Sequence, residues 1–285
     1  LEDFDESRIS LWSIYLDKSI GDWRTELAFI PDTTGHAIPS QDSWFELTAP
    51  RFRYGSLPGS PQPASVTDRN ADALSDGAWG IRVSRTIGPF EASAVAYSGL
   101  DFEPLGRSTT RGEEIVLERY YERRDVFGIS AETAFGPLAL RTEISRQPGR
   151  VFNLRSPDTL DATALDQTTV AAGVDFDGPL DVFLNLQYVL DRVENAPATL
   201  VRPARDRIFT AFMRRTFMYD TLALEIRWYR SLEDRDNMLA ASLSYELGEN
   251  TRLKLGAESF NGARHGLFGQ FAQRDRAVVS LEHTF

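Results

Sequence analysis

The sequence predicts an all-β chain, folded as an antiparallel up-and-down transmembrane β-barrel with about 13 strands in 285 residues. Three observations lead there. Apolar and polar residues alternate with a period of two along successive stretches, while helical spacing is hard to find. The connections alternate without exception between tight turns and long polar segments, a rhythm that suits a barrel with short turns on one rim and loops on the other. No segment approaches the roughly 18 consecutive apolar residues of a membrane helix. Strands that alternate lipid-facing and water-facing residues cross a membrane at low average hydropathy, so a negative mean hydropathy does not oppose this reading.

The elements follow in order from their faces. Alternating runs occupy about 8–16, 23–31, 78–87 and 90–98, and 115–135 reads as one long strand. In 138–145, Leu138, Leu140, Thr142 and Ile144 oppose Ala139, Arg141, Glu143 and Ser145. After 167–177, the run 180–191 sets Leu180, Val182, Leu184, Leu186 and Tyr188 against Asp181, Asn185 and Gln187. The run 206–219 resists a face assignment, because Arg214 and Arg215 put a charge on each side. In 221–230, Leu222, Leu224, Ile226 and Trp228 oppose Glu225, Arg227 and Tyr229. In 238–247, Leu239, Ala241, Leu243, Tyr245 and Leu247 oppose Ala240, Ser242, Ser244 and Glu246. In 251–260, Leu253, Leu255 and Ala257 oppose Arg252, Lys254, Gly256 and Glu258. The last run, 276–285, aligns Ala277, Val279, Leu281, His283 and Phe285.

Tight turns are predicted near 19–22, at Gly88-Pro89, Gly136-Pro137, Asp177-Gly178-Pro179 and Tyr219-Asp220, and at Gly248-Glu249-Asn250. Long connections fall at about 32–77, 99–114, 147–166, 192–205, 231–237 and 261–275. Strands of about ten residues fit a tilted crossing of a hydrocarbon layer. Trp23, Trp79, Tyr188, Trp228, Tyr245 and Phe285 stand near strand ends, where aromatic girdles meet the membrane interface.

Composition narrows the chemistry. Without cysteine there is no disulfide, thiolate nucleophile or cysteine-held metal. A net charge of −11 excludes a general nucleic-acid binder, which needs a basic face. Of the 31 basic residues only Lys18 and Lys254 are lysine; the other 29 are arginine, whose rigid forks suit paired charges. His36, His265 and His283 are scattered: the first two sit in separate loops, and Ser280 lies on the face opposite His283. That arrangement gives no Ser/His pair and no metal set, so no enzyme, cofactor or metal is expected. No glycine-rich phosphate loop occurs. Gly80, Gly128, Gly173 and Gly256 read as strand kinks.

The final run, alternating apolar residues closed by an aromatic, resembles the C-terminal assembly signal of Gram-negative outer-membrane proteins, with His283 departing from the usual aromatic at its position. Gly21-Asp22-Trp23 and Gly266-Leu267-Phe268-Gly269-Gln270-Phe271 are similar to stretches of proteobacterial porin-like barrels. The resemblance implies an outer-membrane address, contact with outer-membrane lipid, and handling by barrel-assembly machinery through the strand that ends in Phe285. It implies one barrel domain over residues 1–285. Counting back from a periplasmic C-terminus, an odd strand number starts on the external side. The expectation is therefore a C-terminal portion of a larger, even-numbered barrel of about 14–18 strands, with N-terminal strands missing or supplied by a partner chain.

If the apolar faces meet lipid, the polar faces line a wet interior. The pore-lining candidates are Arg24, Glu26, Arg82, Arg141, Glu143, Glu225, Arg227, Arg252, Lys254 and Glu258. They serve either as cross-strand ladders that brace the wall or as a charged constriction that screens solutes. The connection 32–77 is long enough to fold inward, with Arg51, Arg53 and Tyr54 as constriction candidates, or to cap the barrel from outside. Asp68, Asp72 and Asp76 in that connection lack the spacing of a calcium cage. The expected function is a porin-like channel for passive passage of small solutes. The alternatives are a narrowed or plugged barrel that binds a specific hydrophobic or oligosaccharide ligand, and a structural component of an envelope complex.

Overall fold

Backbone amides in a hydrocarbon layer have no water to bond, so strands that cross one must pair with neighbours along their whole length. The protein's structure, a computed structural model, describes residues 11–33, 39, 43–54, 65–68, 76–111, 114–155, 160–248 and 250–284, with 65–68, 108–111 and 114–115 as backbone alone. The strands are β1 (Ile14–Ile20), β2 (Trp23–Ile30), β3 (Ser65–Asp68), β4 (Ala78–Ile87), β5 (Phe90–Leu100), β6 (Leu105–Arg111), β7 (Glu114–Tyr120) and β8 (Arg123–Phe135). They continue with β9 (Leu138–Leu154), β10 (Asp161–Gly178), β11 (Val182–Val193), β12 (Arg205–Phe217), β13 (Leu222–Ser231), β14 (Asp236–Gly248), β15 (Thr251–Asn261) and β16 (Arg276–His283).

Thirteen of them form one antiparallel sheet in the order β1-β2-β4-β5-β8-β9-β10-β11-β12-β13-β14-β15-β16, each wall strand beside its predecessor. The remaining three, β3, β7 and β6, make a small separate sheet in the long connections. The expected strand count and the up-and-down order of the wall are both present. Among the described residues β1 and β16 do not pair with one another.

Register carries the apolar face across the wall without a break. Ile129 lies opposite Ile144, Ile144 opposite Val170, and Val170 opposite Leu190. Farther along, Leu224 faces Leu243 and Leu243 faces Leu255. A soluble sandwich would bury this face; here Ile129 is 60%, Leu281 66% and Val279 71% exposed. The buried hydrophobic cluster found is small, Phe152, Val193 and Leu200 at the long-loop end. Such an inversion, with apolar side chains outside and charged ones enclosed, fits a wall solvated by lipid.

Charge placement bounds the lipid-facing band. On the apolar face the charged residues and His283 sit at the short-turn end (Lys18, Arg85, Arg215, His283) or at the long-loop end (Arg123, Asp125, Arg146, Arg192, Arg205, Arg207, Arg230). Among the described residues none stands between these belts. Along β12 the belts are marked by Arg207 and Arg215, about 26 Å apart at ~3.3 Å per residue. Trp23 and Tyr245 lie near the turn end; Trp79, Tyr188 and Trp228 lie toward the loop end, all on the apolar face. Phe285 lies outside the described residues. The fold is an up-and-down β-barrel of the outer-membrane type.

Several boundaries differ from expectation. The first wall strand is 14–20 rather than 8–16, because the turn sits on Gly21-Asp22 and residues 1–10 are outside the described set. The run 115–135 is two strands: β7 belongs to the small sheet and β8 to the wall, the break at 121–122 being fixed by the Asp101 N–H donating to the Glu122 carbonyl at 2.8 Å. The expected connection 147–166 is mostly sheet, since β9 and β10 run to 17 and 18 residues. Pro148 is accommodated there by a bulge. Gly149 takes a φ of 62° beside the register shift at Leu165/Gln167. Asp166 fills the gap by accepting the Gly149 N–H at 2.9 Å and pairing with Arg146 at 2.6 Å. Those two donors hold the Asp166 carboxyl below the usual carboxylate range. Leu180 and Asp181 turn out to be turn residues with positive φ, so β11 begins at Val182. In β12, Arg214 takes the polar face opposite Glu225, and Arg215 the apolar face at the turn-end rim, 4.5 Å over the Phe217 ring.

Candidate functional site

All ten pore-lining candidates fall on the polar face, because each occupies the same parity in the register. Most are braced in pairs. Arg24 bonds Asp17 at 2.7 Å and lies 3.3 Å from Glu26, which also accepts from the Tyr15 hydroxyl. Arg82 stands between Glu26 at 3.8 Å and Glu91 at 3.6 Å. Arg141 pairs with Asp175, Arg227 with Glu225 at 3.0 Å, and Arg252 with Glu246 at 2.6 Å. Glu258 pairs with Arg276 at 2.7 Å. Lys254 lies between Ser244 and Ser280 in the register, and Glu143 between Ser130 and Ala171. The Arg24, Arg141 and Arg252 ends remain about half exposed on this face, where solvent screens the pairs, so they add little to stability. Their stronger effect is to set a field along a wet surface.

The segment 43–54 of the long connection folds onto the polar face at the loop end. Phe45 packs against Phe260 at 6.2 Å and Phe271 at 5.5 Å, with the Arg276 guanidinium 4.8 Å over its ring. The Thr48 and Ala49 N–H groups donate to the Gln270 side-chain oxygen at 2.8 and 2.9 Å. Pro50 then starts a single 3-10 turn, Pro50–Phe52. The three loop candidates act as its fasteners. Arg51 pairs with Asp206 at the head of β12 and reaches Asp234 at 3.4 Å, Arg53 pairs with Glu46 at 3.3 Å, and Tyr54 packs its ring on Gly106. The segment thus runs from the β15–β16 loop across to the β6 hairpin. It lies against the polar side of the wall at the loop end.

The loop 262–275 that receives this segment is clasped around Asp236, the first residue of β14. Its side-chain oxygen accepts the Phe268 N–H at 2.7 Å and the Gly269 N–H at 2.8 Å. The approach is close enough to require glycine: a Cβ on Gly262, whose φ is 132°, would stand 2.1 Å from the Asp236 Cβ. Burial pushes the Asp236 carboxyl above the usual carboxylate range, against the pull of the two amides and with Asp234 and Arg51 as the nearby charges. A carboxyl raised on folding favours its neutral form, so this clasp loses stability as pH climbs from about 4 through the folded value. Hydrogen exchange at 266–272 is expected to accelerate over that window beyond its intrinsic rate in the native protein. In Asp236→Asn it should follow the intrinsic rate alone, and in Asp236→Ala it should be fast at every pH.

Between segment 43–54 and the wall lies a cavity of about 580 Å³. Phe52 and Tyr54 line one side; Phe102 and Phe152 line the other. Its floor is an ion network. Arg150, 8% exposed, donates to Asp101 at 2.6 Å, Gln167 at 2.8 Å and Glu103 at 2.9 Å, and stacks over Phe152 at 5.2 Å. Arg202 pairs with Asp191, lies 3.6 Å from Asp206, and approaches the same ring at 6.0 Å. Sequence reading does not single out Arg150, Arg202, Asp206 or Asp236, because each lies at or inside a stretch read as a polar connection. The one available signal is glycine spacing at 262, 266 and 269. His265 is exposed in its loop, and His283 meets Thr251 at 2.9 Å. Among the described residues no cluster of three or more His, Asp or Glu could hold a metal ion.

A family model described as "Protein of unknown function (DUF1302)" matches residues 19–284. No curated protein matches the chain. Among solved structures, the outer-membrane expressed OmpT of Vibrio cholerae aligns at 11% identity and a TM-score of 0.47, over 95% of this chain and 80% of that one. The KdgM porin aligns at 9% identity and a TM-score of 0.31, over 74% and 94%. The β domain of the Bordetella autotransporter BrkA aligns at 13% identity and 0.29, over 73% and 91%. These likenesses are faint, and the barrel assignment stands on the wall's own inverted faces.

Proposed function

The chain belongs to the family described as "Protein of unknown function (DUF1302)", and from that premise we propose that it is a porin-like channel of a Gram-negative outer membrane. Small solutes pass passively through a lumen whose field is set by the paired arginines and carboxylates of the polar face. The observation that carries the reading is the charge distribution. Among the described residues, every charged group between the two outer belts is turned to the polar face, where water must accompany it. Passage requires no catalytic group and no cofactor, and no covalent step is assigned. The short turns are placed at the periplasmic rim and segment 43–54 at the external mouth.

Planar-bilayer recording tests this. Stable conductance steps are expected, and a correctly folded but silent protein would overturn the channel reading. Charge reversal at Arg227 or Arg252 should shift ion preference toward cations; an unchanged reversal potential removes those two residues from the filter. A second reading, a narrowed barrel that holds a specific ligand, is favoured by the mouth cavity and its aromatic walls.

A further inference from the structure

The lipid-facing side of the wall carries charge of one sign at its short-turn end. Lys18, Arg85 and Arg215 stand there, and among the described residues no aspartate or glutamate shares that belt. None of the three forms an ion pair with a described residue, and the buried Nε of Arg215 has no hydrogen-bond partner. The belt at the long-loop end differs. There Arg146 is matched by Asp166 at 2.6 Å and Arg207 by Glu233 at 2.7 Å. In a chain of net charge −11, the cations of the turn end thus take their counter-charge from their surroundings.

Arg85 also stands at the head of a groove. Trp23, Arg85, Ala92, Ala131 and Thr142 follow one another in a single row across four ladders, all turned to the lipid side. The last three side chains are small. They leave a trough between Ile87 on the turn side and Val83, Ile129 and Ile144 on the loop side. Its volume is about 550 Å³, within the range of sites that hold a small organic molecule. Ser93, Ser130 and Glu143 also border it, but the register turns their side chains to the polar face, where the two hydroxyls meet at 2.7 Å. The trough is therefore apolar and ends on a cation. The Arg85 guanidinium lies 5.1 Å from the Trp23 ring centre, at the interface level that tryptophan favours. Lys18, on the same face two strands away, has a stem long enough to bring its ammonium to that interface.

We propose that this groove binds one anionic glycerophospholipid, with an acyl chain in the trough over Ala92 and Ala131 and the phosphate on Arg85, Lys18 adding a second positive charge. The two parts of the lipid contribute differently. Moving a chain from bulk lipid into the trough gains close packing and no hydrophobic driving force, so the trough places the molecule. The head selects it, because a guanidinium offers a phosphate two parallel N–H donors and each basic group at the interface favours an anionic lipid. The site requires the lipid-facing wall and is independent of conduction.

The full chain in maltoside micelles is titrated with dioleoyl phosphatidylglycerol, dioleoyl phosphatidylcholine and glycerol 1-phosphate, and adducts are read by native mass spectrometry. The first phosphatidylglycerol should bind about tenfold tighter than phosphatidylcholine, and glycerol 1-phosphate should not compete with it. Arg85→Gln should weaken phosphatidylglycerol about fivefold, whereas Arg230→Gln in the opposite belt should not. Ala131→Phe, an apolar side chain on a lipid-facing site, should fill the trough and weaken the same adduct. Equal affinity for the two lipids would overturn the proposal, as would equal losses in Arg85→Gln and Arg230→Gln. So would undiminished binding by Arg85→Gln or Ala131→Phe in protein that keeps its heat-modifiable gel shift. Competition by glycerol 1-phosphate would assign Arg85 to a free phosphate, and dimers abolished by Ala131→Phe would assign the groove to a second copy; either result overturns the lipid site. Conductance without selective lipid binding would remove the site and spare the channel, and binding in a silent protein would do the reverse.

Discussion

Arginine in place of Leu243 is expected to destabilise the folded protein in lipid vesicles by about 2–4 kcal/mol, measured as the shift in its urea unfolding midpoint. Leu243 sits on the apolar face of β14, flanked by Leu224 and Leu255, in a stretch from Leu239 to Leu247 that carries no charged residue on that face. A guanidinium there has neither water nor a carboxylate within reach. The next residue, Ser244, lies on the polar face between Ala223 and Lys254. Ser244→Arg should change stability by no more than about 0.5 kcal/mol, as for an ordinary solvated site. Two substitutions one residue apart thus differ because a strand turns successive side chains to opposite sides. Equal costs at the two positions would mean that both faces meet the same solvent.

Arg51→Ala is expected to release segment 43–54 from the wall. The Arg51 and Asp206 side chains are 12% and 5% exposed, so removing the guanidinium leaves a carboxylate enclosed with one fewer partner. Breaking such a pair costs about 3–5 kcal/mol, and Arg202 at 3.6 Å from Asp206 recovers part of it. The loss falls on the local opening of the segment rather than on the wall, whose ladders are untouched. Hydrogen exchange over 43–54 should rise steeply while that of β13–β15 stays slow. If the chain conducts as proposed and the segment obstructs its mouth, single-channel conductance should increase. Arg53→Ala, which removes a contact made within the segment, should do much less.

The wall is legible in the sequence because its determinant is local. A period of two needs only neighbouring residues, so the faces of β13, β14 and β15 and the side on which all ten polar candidates fall can be read directly. Where local signals conflict or vanish, reading fails. Tyr120-Tyr121-Glu122-Arg123 contains no glycine or proline, so nothing in it marks the end of β7 and the start of β8. Pro148-Gly149 has the composition of a turn, yet it is a bulge in a continuing strand, because Asp166 supplies the missing bonds from across the ladder. Arg214 and Arg215 become distinguishable only when the belt at the turn end gives an outward arginine a place to sit. The mouth is least legible of all. The Ala49 N–H and the Gln270 side chain are 221 residues apart in sequence, and no periodicity connects them.

The central claim is that the apolar sides of the strands meet lipid and the polar sides meet water. The chain has no cysteine, so single cysteines can be placed along 222–229 and spin-labelled without background. Labels at 222, 224, 226 and 228 should collide readily with oxygen dissolved in the bilayer and poorly with a water-soluble nickel chelate, and those at 223, 225, 227 and 229 the reverse. A phase-inverted pattern, or oxygen and nickel both excluded from the even positions, would contradict the account.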